Sequence, residues 1–443
     1  MALEWIDTTF EEVCDIKRGA SPRPIHDWLA LSGVPWVKIS DATAAQTPFI
    51  QKTAEYIKKE AAPKSVEVFP GDFILSNSAT PGIPKFMQIH ACVHDGWLIL
   101  RNFRNLDKWY CYYLLLNDRE KLVRQGNGSV FTNLKTEILK KHQIKLPPLS
   151  YQTQVADILK TLDDRITLLQ ETNQTLDRLA QTIFKSWFIN FDPVKANASG
   201  LKGSTIDDET LSLFPSAFVE SELGEIPEGW TIDRMGNVAV VTDYVANGSF
   251  ASLKENVTLL DEPGYALYVR TTDYNSGFKG DFRYVSKASY DFLSKSSLEG
   301  NEVIISNVGD VGTVFRPPAW LGMPMTLGSN AVALKAPEIS KYLYFHFSSE
   351  KGQNAIQSIV TGSAQLKFNK TNFRDLKILI PNKRILERFE KITETLLAKH
   401  DANKSHIASL KKVRDGLLPK LMSGQISLKN AELETAKSMD RLQ

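Results

Sequence analysis

The side chains best suited to bind a metal ion lie in one short segment, His90-x-Cys92-x-His94. Alternate residues of a strand share a face, so these three ligands would converge if the segment is extended. A structural zinc ion needs a fourth ligand, which only the fold would supply, from Cys111 or His26. The simpler interpretation is a strand that buries Cys92 between two exposed imidazoles. We therefore expect no metal site.

The usual motifs for cofactors and nucleophiles are absent from the sequence. It has no G-x-x-x-x-G-K-[ST] loop for ATP, no NPPY- or DPPY-like tetrapeptide to hold a target base, and no G-x-S-x-G elbow. No G-x-G-x-x-G follows a predicted strand, and the glycine pairs at 126–128 and 309–312 are typical of turns. We predict no catalytic residue and no cofactor in this chain.

Composition limits the classes of protein that remain. The 443 residues include 53 Lys+Arg and 51 Asp+Glu, with 42% apolar and 10% aromatic residues. This length predicts two or three domains with real cores, and the composition excludes a wholly disordered chain. There is no apolar run of about 18 residues for a membrane span. An acidic N-terminus unlike a signal peptide, and three widely spaced cysteines, lead us to expect a cytoplasmic protein without disulfides.

The chain contains a long internal repeat with a period near 234 residues. Gly128 and Pro147 are 19 positions apart, and so are Gly362 and Pro381. Upstream, PWVKISDA resembles LYVRTTDY, and PGDFILSNS resembles GNEVIISNV. The early part of each copy has short apolar runs broken by Gly, Pro, Asn and Asp, which predicts an α+β globule.

Each copy ends in a long helix with an apolar seam. From residue 151, apolar residues recur at steps of four and three over more than four heptads, and the second copy repeats the pattern less regularly. Such a seam cannot stay in water, so we predict an antiparallel helix pair, although each helix packing on its own globule remains an alternative. A buried Asn173 would fix the register, unless it lies at a solvated edge. The predicted core of the helix pair consists of Val155, Leu162, Ile166, Leu169, Asn173, Leu176, Ile183, Trp187, Phe389, Leu396, Leu410, Leu417 and Leu421.

The predicted fold class is α+β, with two pseudo-repeated α/β globules joined by two long antiparallel coiled-coil helices. The predicted boundaries are a first globule at 1–147, a first long helix at 148–190, a surface linker at 191–222, a second globule at 223–381, a second long helix at 382–424 and a polar C-terminal tail at 425–443.

Several segments resemble one known family, the specificity subunits of type I restriction–modification enzymes. The similar segments are IPEGW, GDFILSN, LPPLSYQTQVADIL, LDRLAQTIFKSWFINF and LKKVRDGLLPKLMSGQI, and the resemblance covers nearly the whole chain. It implies that each globule is a target recognition domain that reads one half of a split double-stranded DNA sequence. The helices would set the gap and hold two copies of a DNA methyltransferase subunit, which a restriction–translocase subunit can join. S-adenosylmethionine, ATP and Mg²⁺ would then belong to the partner subunits.

This resemblance directs attention to polar residues in loops that follow matching motifs. Readers of DNA need cations for phosphates and planar or amide side chains for base edges. For each residue alone, solvated surface is the simpler alternative. The candidate DNA contacts are Lys17, Arg18, Arg23, Ser76, Asn77 and Lys85 in the first copy, and Asn307, Arg316, Gln365, Lys367, Asn369 and Lys370 in the second.

Two other functions compete with DNA recognition. One is a scaffold that does not bind DNA, and the other is an uncharacterised α/β enzyme with a dimerising coiled coil. Steeply salt-dependent duplex binding separates DNA recognition from the scaffold, because neutralised phosphates release counterions. Methylation that appears only after a partner is added separates it from the enzyme.

Overall fold

The structure is a computed structural model that describes residues 4–45, 47–125, 133–200, 206–363 and 365–440. Two compact units make up the chain. One consists of Met1–Glu171 with His406–Gln443, and the other of Thr172–Ser405. Each unit contains one globule and a part of each long helix, so the unit boundary falls within the helices. In the described part of the chain, no helix has the length and apolar character needed to cross a membrane.

The first globule is built mainly from short strands. Its strands are β1 (Ile6–Thr9), β2 (Asp15–Arg18), β3 (Leu29–Ala30), β4 (Val34–Val37), β5 (Phe49–Ile50), β6 (Glu55–Ile57), β7 (Val66–Val68), β8 (Phe73–Ser76), β9 (Pro84–Met87), β10 (Ala91–Val93), β11 (Trp97–Arg101) and β12 (Gln143–Leu146). Its helices are α1 (Phe10–Val13), α2 (Ile39–Ala44), α3 (Lys108–Asn117), α4 (Arg119–Gln125) and α5 (Thr136–Lys140). The strands form sheets in the orders β3-β6-β4-β10-β7 and β2-β11-β8-β9-β5, and β1 pairs with β12.

The first long helix, α6 (Leu149–Phe184), ends in a π-helical turn at Lys185–Ile189. The segment at 191–222 is predicted as a surface linker, but its described residues, 191–200 and 206–222, are folded and packed. It contains α7 (Asp192–Ser199), α8 (Asp208–Leu211) and strand β13 (Phe218–Val219). Val194 and Phe214 are buried, and the Phe214 ring lies 5.1 Å from the Trp187 ring. The linker prediction is therefore wrong, because a few apolar residues among many polar ones suffice to anchor short helices.

The second globule repeats the strand plan of the first. Its strands are β14 (Ile226–Pro227), β15 (Thr231–Arg234), β16 (Val240–Asp243), β17 (Leu259–Leu260), β18 (Ala266–Val269), β19 (Tyr284–Val285), β20 (Ser297–Leu298), β21 (Val303–Ser306), β22 (Val314–Phe315), β23 (Met325–Leu327), β24 (Ala331–Lys335) and β25 (Lys377–Ile380). Its helices are α9 (Met235–Val238), α10 (Phe250–Asn256), α11 (Thr271–Asn275), α12 (Lys287–Phe292), α13 (Ser340–Ser348), α14 (Glu350–Gln357) and α15 (Lys370–Arg374). After it come α16 (Lys383–Met422) and α17 (Leu428–Asp440).

The two globules share a strand order, except that β5 of the first has no counterpart in the matching four-stranded sheet of the second. The order β3-β6-β4-β10-β7 corresponds to β17-β19-β18-β23-β20, and β2-β11-β8-β9 corresponds to β16-β24-β21-β22. The single parallel contact of the first of these sheets is repeated as well, β4 with β10 and β18 with β23. The outermost strands pair antiparallel in both, β1 with β12 and β15 with β25. The predicted α+β fold with two pseudo-repeated globules is confirmed.

The apolar runs FILS and VIIS form the equivalent inner strands β8 and β21, and all four residues of each are buried. In β8, Phe73 and Leu75 join the core that α6 covers, whereas Ile74 joins a second core on the opposite face. In β21, Val303 and Ile304 divide between two cores in the same way. A strand covered on both faces needs such an unbroken apolar run, which explains why these motifs recur.

The two long helices run antiparallel within each unit. In the first unit the Tyr151 hydroxyl approaches the Leu421 carbonyl at 3.5 Å. In the second, the Phe184 and Phe389 rings lie 6.0 Å apart. Residues early in α6 thus meet residues late in α16, and the reverse holds at the other end. Three positions of the predicted seam are only half-buried: Leu176, Ile183 and Leu396. The neighbouring Leu397 is the buried residue at that point of α16. The remaining predicted positions are buried: Val155, Leu162, Ile166, Leu169, Asn173, Trp187, Phe389, Leu410, Leu417 and Leu421.

The irregular middle of the second helix is a polar layer in the second unit. Asn403 donates to the Asn173 side-chain oxygen at 2.8 Å, and Asn173 donates to the His400 carbonyl at 3.1 Å. Both asparagines are buried. Two buried amides that bind each other leave no polar group unpaired. They can do so in only one alignment of α6 with α16, so these asparagines specify the register where the apolar repeat is interrupted.

The C-terminal segment at 425–443 was expected to be a polar tail. Its described part instead forms α17, whose Ala431 is fully buried in the core of the first unit. Leu428 and Met439 pack against the same core. The prediction of a peripheral tail is wrong, because these apolar positions are too widely spaced in sequence to stand out from the polar residues between them.

Candidate nucleic-acid interface

Candidate cations of the first globule gather around one carboxylate. Lys17 and Arg18 end strand β2 and are exposed, and Arg23 lies in the loop that follows. Arg18 Nε donates to the Asp95 carbonyl at 2.8 Å, and Arg23 Nη2 lies 3.5 Å from Asp95 Oδ2. Ser21 donates to Asp95 Oδ1 at 2.7 Å. We call Arg18, Ser21, Arg23 and Asp95 the arginine cluster.

Close backbone contact brings the arginine cluster together. The Gly19 amide donates to the Trp97 carbonyl at 2.8 Å, which aligns the end of β2 with the turn between β10 and β11. A Cβ atom at position 19 would collide with the His94 carbonyl oxygen. Glycine is therefore required where Arg18 approaches Asp95.

A cleft of about 720 Å³ opens beside the arginine cluster. Its walls include Pro22, Ile25, Trp36 and His94, and Lys38 stands at its edge. Burial lowers the pKa of His94, whose Nδ1 accepts a hydrogen bond from the Gly96 amide at 2.8 Å. The imidazole is therefore neutral near pH 7, and the fixed cations of the surrounding surface are arginines and lysines.

Ser76 and Asn77 form hydrogen bonds that hold together the loop after strand β8. Ser76 Oγ accepts from the Ile83 amide at 2.8 Å and donates to the Thr80 carbonyl at 2.6 Å. Asn77 Nδ2 donates to the Asp95 carbonyl at 3.2 Å. Both side chains are buried and hold the loop together, and direct contact with DNA by either of them stays a prediction.

Lys85 is also buried, in strand β9. Its ammonium donates to the Ala45 carbonyl at 2.8 Å and to the Thr47 carbonyl. Burial lowers the pKa of Lys85 to about 8. Two backbone carbonyls thus bind this ammonium inside the globule, and its contact with a phosphate stays a prediction.

In the second globule, Gln365 and Lys367 are the most accessible candidates, in an exposed segment that folds back on itself. Thr361 and Lys367 exchange backbone hydrogen bonds of 2.8 and 2.9 Å, and the Gly309 amide donates to the Leu366 carbonyl at 3.0 Å. Gln365 and Lys367 are exposed. The matching segment of the first copy, residues 126–132, lies outside the described residues. In the second globule, the side-chain amide of Gln365 and the ammonium of Lys367 are therefore available to a ligand.

The other candidates of the second globule have structural partners. Arg316 Nη2 lies 2.6 Å from Asp401 Oδ2 on α16. Lys370 lies 2.7 Å from Asp243 Oδ1. Arg316 therefore anchors the globule to a helix, and its contact with DNA stays a prediction.

Two asparagine candidates also belong to the scaffold. Asn369 is exposed and caps α15 by accepting from the Asn372 amide at 2.8 Å. Asn307 is half-buried, and its carbonyl accepts from the Phe368 amide at 3.1 Å. Asn307 occupies the place of Asn77 in the repeated loop, and both of these residues tie neighbouring segments together.

The segment with metal-binding side chains does not assemble a ligand set. Cys92 is buried beside Trp36, whereas His90 faces outward and pairs with Glu67 at 2.7 Å. His94 turns to the Gly96 amide. Within the described ranges, no three His, Cys, Asp or Glu side chains are arranged to hold a metal ion.

Sequence reasoning missed Ser21 and Asp95 as members of the interface. Asp95-Gly96 has the composition of a tight turn between two strands, which was an available signal for its position. The pairing of Asp95 with Arg18 and Arg23, more than 70 positions earlier, depends on the strand order and has no local signature.

The family model described as "Type I restriction modification DNA specificity domain" matches residues 3–178 and 227–408. The HindI specificity subunit of Haemophilus influenzae is 22% identical over 93% of this chain and 98% of its own length. The MjaIX specificity subunit of Methanocaldococcus jannaschii is 23% identical, over 96% and 94%. The crystal structure of a type I S subunit from M. genitalium shares the fold, with a TM-score of 0.56 at 16% identity over 95% and 96% of the two chains. The two matched segments cover most of both globules and much of both long helices, and this chain therefore belongs to the type I restriction–modification DNA specificity family.

Proposed function

We propose that the chain is the specificity subunit of a type I restriction–modification complex and that each globule reads one half of a bipartite DNA target. The observation that carries this proposal is the repeated strand order of two globules whose exposed loops differ in chemistry. A shared scaffold with different loops suits two independent readers, because loops on a rigid frame can vary without disturbing the core. The scaffold function without DNA is less well supported, since it gives no role to the exposed arginine cluster.

In this proposal the chain performs no catalysis. Two copies of a methyltransferase subunit bind the helix pair, because the repeat offers two similar platforms. Restriction–translocase subunits can join this complex. S-adenosylmethionine, ATP and Mg²⁺ bind the partner subunits, in line with the absence of cofactor motifs from this sequence.

Methylation mapping of DNA from cells that carry the chain and its modification partner tests the proposal. We expect two short defined sequences separated by a spacer of constant length. The matched control is the purified chain alone with S-adenosylmethionine, Mg²⁺ and ATP, which should neither methylate nor cut DNA. Methyl transfer by the single chain, or methylation without a bipartite pattern, would contradict the proposal.

Native mass measurement of the assembled complex tests the number of partner subunits. It should give two modification subunits for each chain at saturation, and a one-to-one complex would argue against two binding platforms on the helix pair.

A further inference from the structure

The arginine cluster combines hydrogen-bond donors and acceptors in one exposed place. Arg23 is 80% exposed and Arg18 58%, and the carboxylate of Asp95 between them is 40% exposed. A guanidinium presents donors in a planar fork, and an ionised carboxylate only accepts. The cluster can therefore satisfy a ligand that carries acceptors and a donor side by side.

Asp95 is held in place before any ligand arrives. Ser21 donates to its Oδ1 at 2.7 Å, while Arg18 Nε and Asn77 Nδ2 donate to its backbone carbonyl at 2.8 and 3.2 Å. The hydrogen bond from Ser21 is the main cause of a lowered pKa for Asp95, so the carboxylate is ionised at neutral pH. Arg23 is then oriented by a fixed anion 3.5 Å away.

A phosphate is a poor ligand for this arrangement, since the central carboxylate repels it. A G·C pair suits it better. In the major groove guanine presents the acceptors O6 and N7, and the paired cytosine presents its N4 amino donor. Arginine binds the guanine edge in bidentate fashion, and aspartate accepts from the cytosine amino group.

We infer that the first globule reads a G·C base pair through this cluster. Arg23 binds guanine O6 and N7, Asp95 accepts from cytosine N4, and Arg18 and Ser21 are positioning residues that fix Asp95. This assignment rests on the proposed function and names the base pair that one half-site must contain.

The second globule lacks an equivalent cluster in its described residues. In the sheet register Arg18 lies opposite Leu98 of β11. The corresponding position in the second globule is Asp243, opposite Val332 of β24. Asp243 is buried and bonded to Lys370 at 2.7 Å. Changes to the arginine cluster should therefore affect one half-site and leave the other unchanged.

The test uses the full chain assembled with its modification subunit and duplexes that carry the mapped target. Each guanine is replaced in turn by 7-deazaguanine, which lacks the N7 acceptor. With the unaltered chain, one position in one half-site should lose about tenfold in affinity, as expected when a charged donor loses one of its two acceptors. Arg23→Ala removes the donors to guanine, so it should bind the normal and the modified duplex equally at that position.

Two further variants separate base reading from other effects. Asp95→Asn should relax discrimination at the same base pair, because the amide loses acceptor capacity towards cytosine. The matched control is Arg234→Ala, which changes an exposed arginine paired with Asp375 at 2.8 Å in the second globule. It should leave discrimination intact.

Equal loss of affinity for all duplexes in Arg23→Ala, with discrimination kept, would assign Arg23 to a phosphate and overturn the inference. A mapped target in which neither half-site responds to 7-deazaguanine would overturn it too. If mapping finds no bipartite target, the proposed function itself fails, and this outcome is distinct from a mapped target that the variants read unchanged.

Discussion

The two globules share a strand order but differ in the chemistry at matching places. Where β2 ends in the first globule, exposed Arg18 meets Asp95. Where β16 ends in the second, buried Asp243 meets Lys370. The apolar runs that build the sheets recur, and so does the Ser-Asn pair at the ends of β8 and β21, whereas the residues that end β2 and β16 differ. A repeat can thus preserve a scaffold while each copy acquires its own surface.

The attachments of the globules to the helices differ in the same way. In the first unit, the Tyr113 hydroxyl and Arg414 bind the two oxygens of Asp163 at 2.8 and 2.5 Å. In the second unit, Arg316 reaches Asp401 at 2.6 Å. Both units join a globule to a helix through an aspartate, but with partners from different elements.

Exchange of a whole globule gives the largest effect. Replacing residues 1–147 with the corresponding globule of another family member should change one half-site completely and leave the second half-site unchanged, because each globule has its own cores. Methylation mapping of the hybrid complex measures this. A change in both half-sites at once would show that the globules do not read independently.

Truncation of Phe389 compares the helix seams of the two units. Its ring lies 4.9 Å from the Phe188 ring and 6.0 Å from the rings of Phe184 and Trp187. Phe389→Ala should lower the free energy of unfolding of the second unit by about 3–5 kcal/mol. The counterpart Val155→Ala, in the first unit, removes far less volume and should cost about 1–2 kcal/mol. Calorimetry of the two variants checks the ranking, and equal losses would argue against the aromatic layer as a special feature.

Removal of the arginine that binds a helix aspartate in each unit sharpens the comparison further; Arg414 joins the two helices, whereas Arg316 joins the globule to α16. Arg414→Ala leaves Asp163, whose side chain is 8% exposed, without its cation, and should cost about 3 kcal/mol. Arg316→Ala should cost about 1–2 kcal/mol, because Asp401 is 22% exposed and keeps the His400 ring at 3.0 Å. Denaturant unfolding of both variants measures the difference. A larger loss for Arg316→Ala would reverse the assignment of the stronger attachment.

The smallest effect is expected when both asparagines of the polar layer in the helices are replaced together. Asn403→Ala leaves the Asn173 oxygen buried without its donor and should cost about 1–3 kcal/mol. Replacing both asparagines with leucine should be nearly neutral for the free energy of unfolding, since no polar group is then left unpaired. If the double variant is as unstable as the single one, the layer contributes packing rather than hydrogen bonding.

Sequence alone predicted the features that depend on local pattern. The seams of α6 and α16 follow from heptad spacing, and the matched globules follow from the repeated order of motifs. Side-chain exposure was not predictable in this way. Lys85 binds the carbonyls of residues 38 and 40 positions away, and Arg316 binds an aspartate 85 positions away. A polar residue in a loop has the same sequence signature whether it faces a ligand or ties two segments together, so only the fold separates these cases.

The first unit is assembled from two distant pieces of chain. Tyr151 near the start of α6 meets Leu421, which follows 270 residues later, whereas the second unit is the continuous stretch Thr172–Ser405. A ribosome that adds about 5–20 residues per second needs roughly 15 to 55 seconds to cover this distance. Until then the apolar seam around Val155 has no helix partner, and the nascent chain presents it to chaperones. The half of the molecule that is synthesised first is completed last.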